Sequence, residues 1–173
     1  FSGTEVIESE RLEDDVGLGS GMAVDPEYQQ FGIGSLIRTR GILEDTSGEA
    51  YFAARSANPG ILSHMQGLYG AFPREGESTP CDVEVAMEEA AEAIDGSKAF
   101  ETPVMRSAYP EQMNDMLDHE LSGFLRELME ELGNGYDNGD ALIMAAEVSE
   151  SELDEAYNKL VEESQFKVRE EVI

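Results

Sequence analysis

Gly21-Met22-Ala23-Val24-Asp25-Pro26-Glu27-Tyr28-Gln29-Gln30-Phe31-Gly32-Ile33-Gly34-Ser35 passes from apolar strand to turn to helix with no spacer. The residues before it, from Gly17 to Val24, are apolar but loosened by glycine, and they predict a strand. Asp25-Pro26-Glu27-Tyr28 predicts a turn, because proline fixes φ and aspartate favours turn initiation. The string Gln29-x-x-Gly32-x-Gly34 then opens a predicted helix over 35–43. Glycines let a ligand approach the backbone closely, and the first amides of a helix point N–H groups outward with no intrahelical partner. With the helix dipole added, such an arrangement is a seat for an anion of the pyrophosphate kind.

Outward from this segment the chain alternates. A strand is expected over 4–7, inside an acidic opening that holds Glu8, Glu10, Glu13, Asp14 and Asp15 around Leu12. A short buried strand is expected over 50–54. A helix follows over 59–69, with Pro59 near its first turn and Gly70 and Pro73 after it. Residues 74–80 are turn formers, 83–94 predict a helix, and 103–109 a strand between prolines. Met113, Met116, Leu117, Leu121, Phe124, Leu125, Leu128 and Leu132 recur at helical spacing, and Gly133 stops that helix. A strand is expected over 141–148. Ser149 and Glu152 then form a capping box for a last helix carrying Leu153, Tyr157, Leu160 and Val161. Strands alternating with helices and no internal repeat imply an α/β fold, a mixed sheet flanked by helices.

The composition narrows the function. The chain has 173 residues with 38 Asp and Glu against 11 Lys and Arg, a formal net charge of −27. No basic face is available to neutralise phosphates along a nucleic acid, and anionic membranes are disfavoured for the same reason. Disorder, the usual correlate of such acidity, is opposed by the long periodic apolar stretches. Lysine is scarce (Lys98, Lys159 and Lys167), as in proteins of salt-accumulating, halophilic cytoplasms, where excess carboxylates keep a surface hydrated while salt screens their repulsion. Cys81 is alone, so no intrachain disulfide forms, and with His64 and His119 the only histidines no metal site is expected. No apolar run approaches the ~20 residues of a membrane span. A cytoplasmic acidic protein is the default, and a chain that opens on Phe1 is expected to be processed or a fragment.

The acidity has one interruption. Residues 28–74 carry four arginines (Arg38, Arg40, Arg55 and Arg74) against three carboxylates, whereas residues 1–27 carry one against eight and residues 75–173 six against twenty-seven. A polyanionic ligand meets least repulsion there, unless Arg38 and Arg40 simply occupy a solvated helix face. The glycine runs are not a phosphate-binding P-loop, which ends in Gly-Lys-Ser/Thr. Nor do they fit G-x-G-x-x-G, which requires glycine in place of Met22 or Ile37.

The joined phrase Val24-Asp25-Pro26-Glu27-Tyr28-Gln29-Gln30-Phe31-Gly32-Ile33-Gly34 resembles the signature of the GNAT superfamily of N-acetyltransferases, the acyl-CoA N-acyltransferase fold. The likeness continues through the strand at Tyr51 and the helix opened by Asn58, and covers residues 21–73. It implies a transferase that binds acetyl-CoA, or another acyl-CoA, as cosubstrate. Pyrophosphate would lie on the amides of Phe31 to Ser35, within the cofactor-binding set Val24, Gln29, Gln30, Phe31, Gly32, Ile33, Gly34, Ser35 and Asn58. The pantetheine arm would run along the strand ending at Val24. An amine, on a small molecule or a peptide, would attack the thioester directly, with no covalent enzyme intermediate and hence no role for Cys81. The family's usual thiolate acid is a tyrosine seven residues after the asparagine, and that count lands on Met65. Tyr69, one turn further, is the catalytic candidate in its place, with His64 beside Met65 as a helix-surface residue. The base is unassigned, Glu8 and Glu10 being candidates by location only.

The resemblance also implies further strands and helices before the signature, so the chain is expected to be N-terminally incomplete. Residues 1–80 then form the acyl-CoA-binding core and 81–173 a helix-rich α/β extension packing on the same sheet. The Met and Leu stripe of that extension reads as core or as a subunit interface, which leaves a homo-oligomer open. The rival to the enzyme is a non-catalytic relative, a CoA-binding or protein-interaction module.

Overall fold

The computed structural model describes residues 2–22, 33–45, 50–56, 59–95, 100–101, 103–105 and 141–163. The elements in chain order are β1 (Ser2–Ile7), β2 (Val16–Met22), α1 (Ile33–Asp45), β3 (Ala50–Ser56), α2 (Pro59–Tyr69), α3 (Cys81–Asp95), β4 (Phe100–Glu101), β5 (Val104–Met105), β6 (Ala141–Val148) and α4 (Glu150–Glu163). The fold is α/β, one mixed sheet of order β1-β2-β3-β6-β5-β4 with helices on both faces. Only β2 and β3 run parallel, joined across α1; every other neighbouring pair is antiparallel. The expected amphipathic helix around Met113 to Leu132, and most of the strand expected over 103–109, lie outside the described residues.

Alternation along the central strands sorts the core into two layers. On β3, Phe52 and Ala54 point to the face covered by α1, α2 and α4, where Ile42, Leu62, Met65 and Leu153 meet Leu142 and Met144 of β6. Tyr51 and Ala53 point the other way, against Val83, Ala86, Met87 and Ala90 of α3. A strand buried on both faces reads as a continuous apolar run, and β6, Ala-Leu-Ile-Met-Ala-Ala-Glu-Val, is buried at every position but Glu147. It lies between β3 and β5, so the sheet is continuous across the boundary at residue 80.

β2 differs from its neighbours in having glycine on one face. Val16 and Leu18 join the α3 layer, while Gly17 and Gly19 pair with Phe52 and Ala54 and share their face. The ring of Phe52 fills the space so left. A Cβ on Gly19 would stand 3.2 Å from its Cζ and 3.6 Å from the Ala54 methyl. Gly19→Val is therefore expected to lower stability by about 1–3 kcal/mol, the usual cost of overpacking, as a fall in the urea midpoint.

The last helix begins as its capping box requires. The Ser149 amide donates to Glu152 Oε2 at 3.0 Å and the Glu152 amide to Ser149 Oγ at 3.3 Å. The Ser149 hydroxyl also donates to Glu152 Oε2 at 2.7 Å, and this bond, then the one from the Ser149 amide, holds the Glu152 carboxyl below its ordinary pKa. Leu153 and Leu160 are buried, but Val161 is 47 % exposed and Ala156 takes the core position expected of it. The reason is spacing: 153, 156 and 160 lie on one stripe, and 161 is a further 100° around the helix. Cys81 is the exposed first residue of α3, which begins two residues before the helix expected over 83–94.

Candidate functional site

The ladder between β2 and β3 pairs Val16–Gly19 with Tyr51–Ala54 and stops there. Both strands continue. β2 runs on to Met22 paired with β1, and β3 runs to Ser56 paired with β6. The register against β1 steps from Thr4–Gly19 to Gly3–Gly21, so Ser20 is an extra residue, a bulge that bends the strand where pairing with β3 ends. The two parallel strands thus part company at their carboxyl ends, the edge at which open α/β sheets seat ligands.

α1 starts from this edge and runs back over β1 and β2, close enough that a Cβ on Gly41 would meet Thr4 Oγ1 at 3.4 Å. α2 starts from the carboxyl end of β3. The two helices are bridged by side chains. Ser35 Oγ lies 2.5 Å from His64 Nε2, and Thr39 Oγ1 lies 2.6 Å from the Tyr69 hydroxyl. Thr39 is fully buried, and its hydroxyl donates to the Ser35 carbonyl at 2.9 Å. A carbonyl can only accept and a threonine hydroxyl has one proton, so the Tyr69 hydroxyl donates to Thr39. The Tyr69 ring also stands edge-on to Phe52, centroids 5.9 Å apart at 72°.

Between the two bridges lies Arg38, near enough to act on both His64 and Tyr69. His64 keeps an exposed edge, but partial desolvation holds its pKa below that of an ordinary histidine and the Arg38 charge adds to the effect, so the imidazole is mostly neutral at pH 7. Burial raises the Tyr69 pKa, against smaller opposing effects of the Thr39 hydrogen bond and Arg38. The phenol therefore keeps its proton at neutral pH. A neutral imidazole that can take a proton and a phenol that can give one thus both neighbour Arg38.

Ile33, Gly34 and Ser35 form the first turn of α1, which begins two residues before the helix expected over 35–43. Val24, Gln29, Gln30, Phe31, Gly32 and Asn58 lie outside the described residues. Met65 is wholly buried in the core and Tyr69 faces α1, so at α2 only Tyr69 of the two is near polar groups. The two arginines of α1 separate: Arg40 forms an exposed pair with Glu44 at 2.8 Å, whereas Arg38 is turned toward α2 and partly buried. The Ser35–His64 and Thr39–Tyr69 pairings were not foreseen. Their trace in the sequence is the i, i+3, i+4 spacing of Ser35, Arg38 and Thr39, a polar stripe on an otherwise mixed helix.

An open cavity of about 480 Å³ lies at the carboxyl end of α2, with Tyr69 in its wall beside Phe72, Arg74, Glu147, Glu152 and Lys159 among others. Its arginine is engaged, donating to the Gly70 and Ala71 carbonyls, pairing with Glu77 and lying over the Phe72 ring. Among the described residues no cluster of three or more His, Cys, Asp or Glu is placed to hold a metal ion, and no helix is long and apolar enough to cross a membrane. Comparison with protein-family models, with curated proteins and with solved structures gives no match.

Proposed function

We propose that this chain is an acyl-CoA-dependent N-acyltransferase of the GNAT type, taking acetyl-CoA as cosubstrate and a primary amine as acceptor in a salt-rich cytoplasm. The observation that carries the reading is the β2–α1–β3–α2 succession. The ladder between its two strands ends at the edge where α1, preceded by Gln29-x-x-Gly32-x-Gly34, begins. Pyrophosphate would take the amides of Phe31 to Ser35, and the pantetheine arm would follow β2 toward Val24.

The chemistry is transfer between nucleophiles. The amine nitrogen attacks the thioester carbonyl, the C–S bond breaks, the nitrogen gives up a proton and the CoA sulfur takes one. Tyr69 is the assigned proton donor. Its hydroxyl must turn from Thr39 to do this, and Thr39 can in turn donate to the phenolate. Loss of this proton transfer costs on the order of 10²-fold in rate. Tyr69→Phe is accordingly expected to cut amine-dependent thiol release by about that factor, with acetyl-CoA affinity unchanged by calorimetry.

The burial of Met65 favours a second reading, a CoA-binding module without catalysis, because the position of the family's usual acid is spent on the core. Thiol release from acetyl-CoA with polyamines, amino acids and peptides separates the two. Release that depends on an amine identifies the enzyme; tight binding with no release identifies the module.

A further inference from the structure

We propose that Arg38 and His64, with the Ser35 hydroxyl, form a side-chain clamp for a phosphate-bearing ligand, and that the ligand's arrival is coupled to uptake of one proton at His64. The clamp deepens the acyl-CoA reading, on which it rests for the identity of the ligand, and it can be tested apart from it with inorganic pyrophosphate.

The first observation is charge. In a chain with 38 carboxylates, Arg11, Arg40 and Arg74 each hold one, Glu88, Glu44 and Glu77 respectively. Arg38 is more buried than Arg40 and forms no ion pair among the described residues. A guanidinium withdrawn from water without a counter-charge is costly, and one placed against a histidine is costlier once that histidine is protonated. An anion between them removes both penalties. Its class follows from the donors: a guanidinium offers up to five N–H groups in a fork that matches phosphate oxygens.

The second observation is the Ser35–His64 contact. A protonated imidazole carries N–H on both nitrogens and can only donate. Nε2–H then donates to Ser35 Oγ, and the serine proton is released from any bond to the ring and becomes a donor for the ligand. One proton on His64 thus adds a positive charge beside the anion and turns Ser35 into a phosphate donor. The groups acting on His64 are few. From α1 they are Ser35 and Arg38; on α2, Tyr69 shares Arg38 as a neighbour; no described carboxylate from β3 or α4 acts on it.

The sign of the coupling follows. The free imidazole titrates below an ordinary histidine, and an anion beside it raises that midpoint. Affinity therefore increases as pH falls, by at most about tenfold per pH unit, only between the free and bound midpoints.

The chain has two histidines, so the imidazole C–H resonances are assignable by NMR with one His119→Gln variant. Saturating pyrophosphate is expected to move the His64 midpoint upward by about one pH unit, and acetyl-CoA to do the same. Arg38→Gln should raise the midpoint of the free protein, shrink the anion-induced movement and weaken pyrophosphate at least about tenfold. His64→Gln should make the remaining affinity independent of pH across the window. A His64 midpoint unmoved by saturating pyrophosphate and by bound acetyl-CoA overturns the clamp while leaving the acyl-CoA reading in place. Movement with pyrophosphate but no binding of acetyl-CoA supports the clamp and overturns that reading. The wild-type titration decides even if Arg38→Gln fails to fold.

Discussion

Gly34→Asp is expected to abolish the proposed acetyl-CoA binding and to leave the protein at least as stable as before. The two halves of this expectation come from one charge in two settings. Gly34 is the second residue of α1, in the turn whose amides have no intrahelical partners. An aspartate there satisfies the helix dipole, worth about 0.3–1 kcal/mol, and replaces a glycine that costs roughly 0.5–1 kcal/mol within a helix. The folded state gains. The same carboxylate stands where the pyrophosphate would lie, and two unit charges ~4 Å apart near a protein surface repel by about 4 kcal/mol. At 1.4 kcal/mol for each tenfold, affinity falls by more than about 100-fold. Isothermal calorimetry measures the loss and a thermal melt the stability. Unchanged affinity would place the phosphate elsewhere, and a collapse of the melt would make the loss of binding uninformative.

The second large effect is on stability itself. Raising potassium chloride from 0.1 M to 2 M is expected to raise the melting temperature by about 10 °C. The formal charge of −27 is brought closer together by folding, and at 0.1 M the screening length of about 10 Å leaves neighbouring carboxylates in contact with one another's fields. Glu88, Glu89 and Glu92 on α3 illustrate the crowding, since all three act on the single Arg11. At molar salt the length is about 3 Å and this repulsion is largely removed. For a domain of this size ~10 °C corresponds to about 3–4 kcal/mol. Chloride is preferred to sulfate, which strengthens apolar burial whatever the charge. A melt insensitive to potassium chloride would contradict the salt-adapted reading of the composition.

The fold was legible where local and global signals agree. The apolar run at β6, the capping box at Ser149 and Glu152, and Pro59 at the start of α2 each state a boundary in the residues themselves, and the structure places them there. The two residues of β4 carry no periodicity of their own; they form a strand only because β5 is beside them. Gly17 and Gly19 could be seen, but not that their shared face is occupied by the ring of Phe52, thirty-odd residues away. The site divides in the same way. The count from Asn58 lands on Met65, which the core takes, and Tyr69 enters only as the residue one turn beyond it. Its partner Thr39, and the pairing of Ser35 with His64, depend on how far apart α1 and α2 settle on the sheet, which no periodicity encodes. Arg38 and Arg40 are two residues apart on a helix, so opposite fates are expected once one face is covered.

A calorimetric titration of acetyl-CoA into the chain in 2 M potassium chloride at pH 7 is expected to show one saturable site whose heat is lost in Gly34→Asp. A titration with no binding, on protein shown by circular dichroism to be folded, would contradict both the transferase and the CoA-binding module.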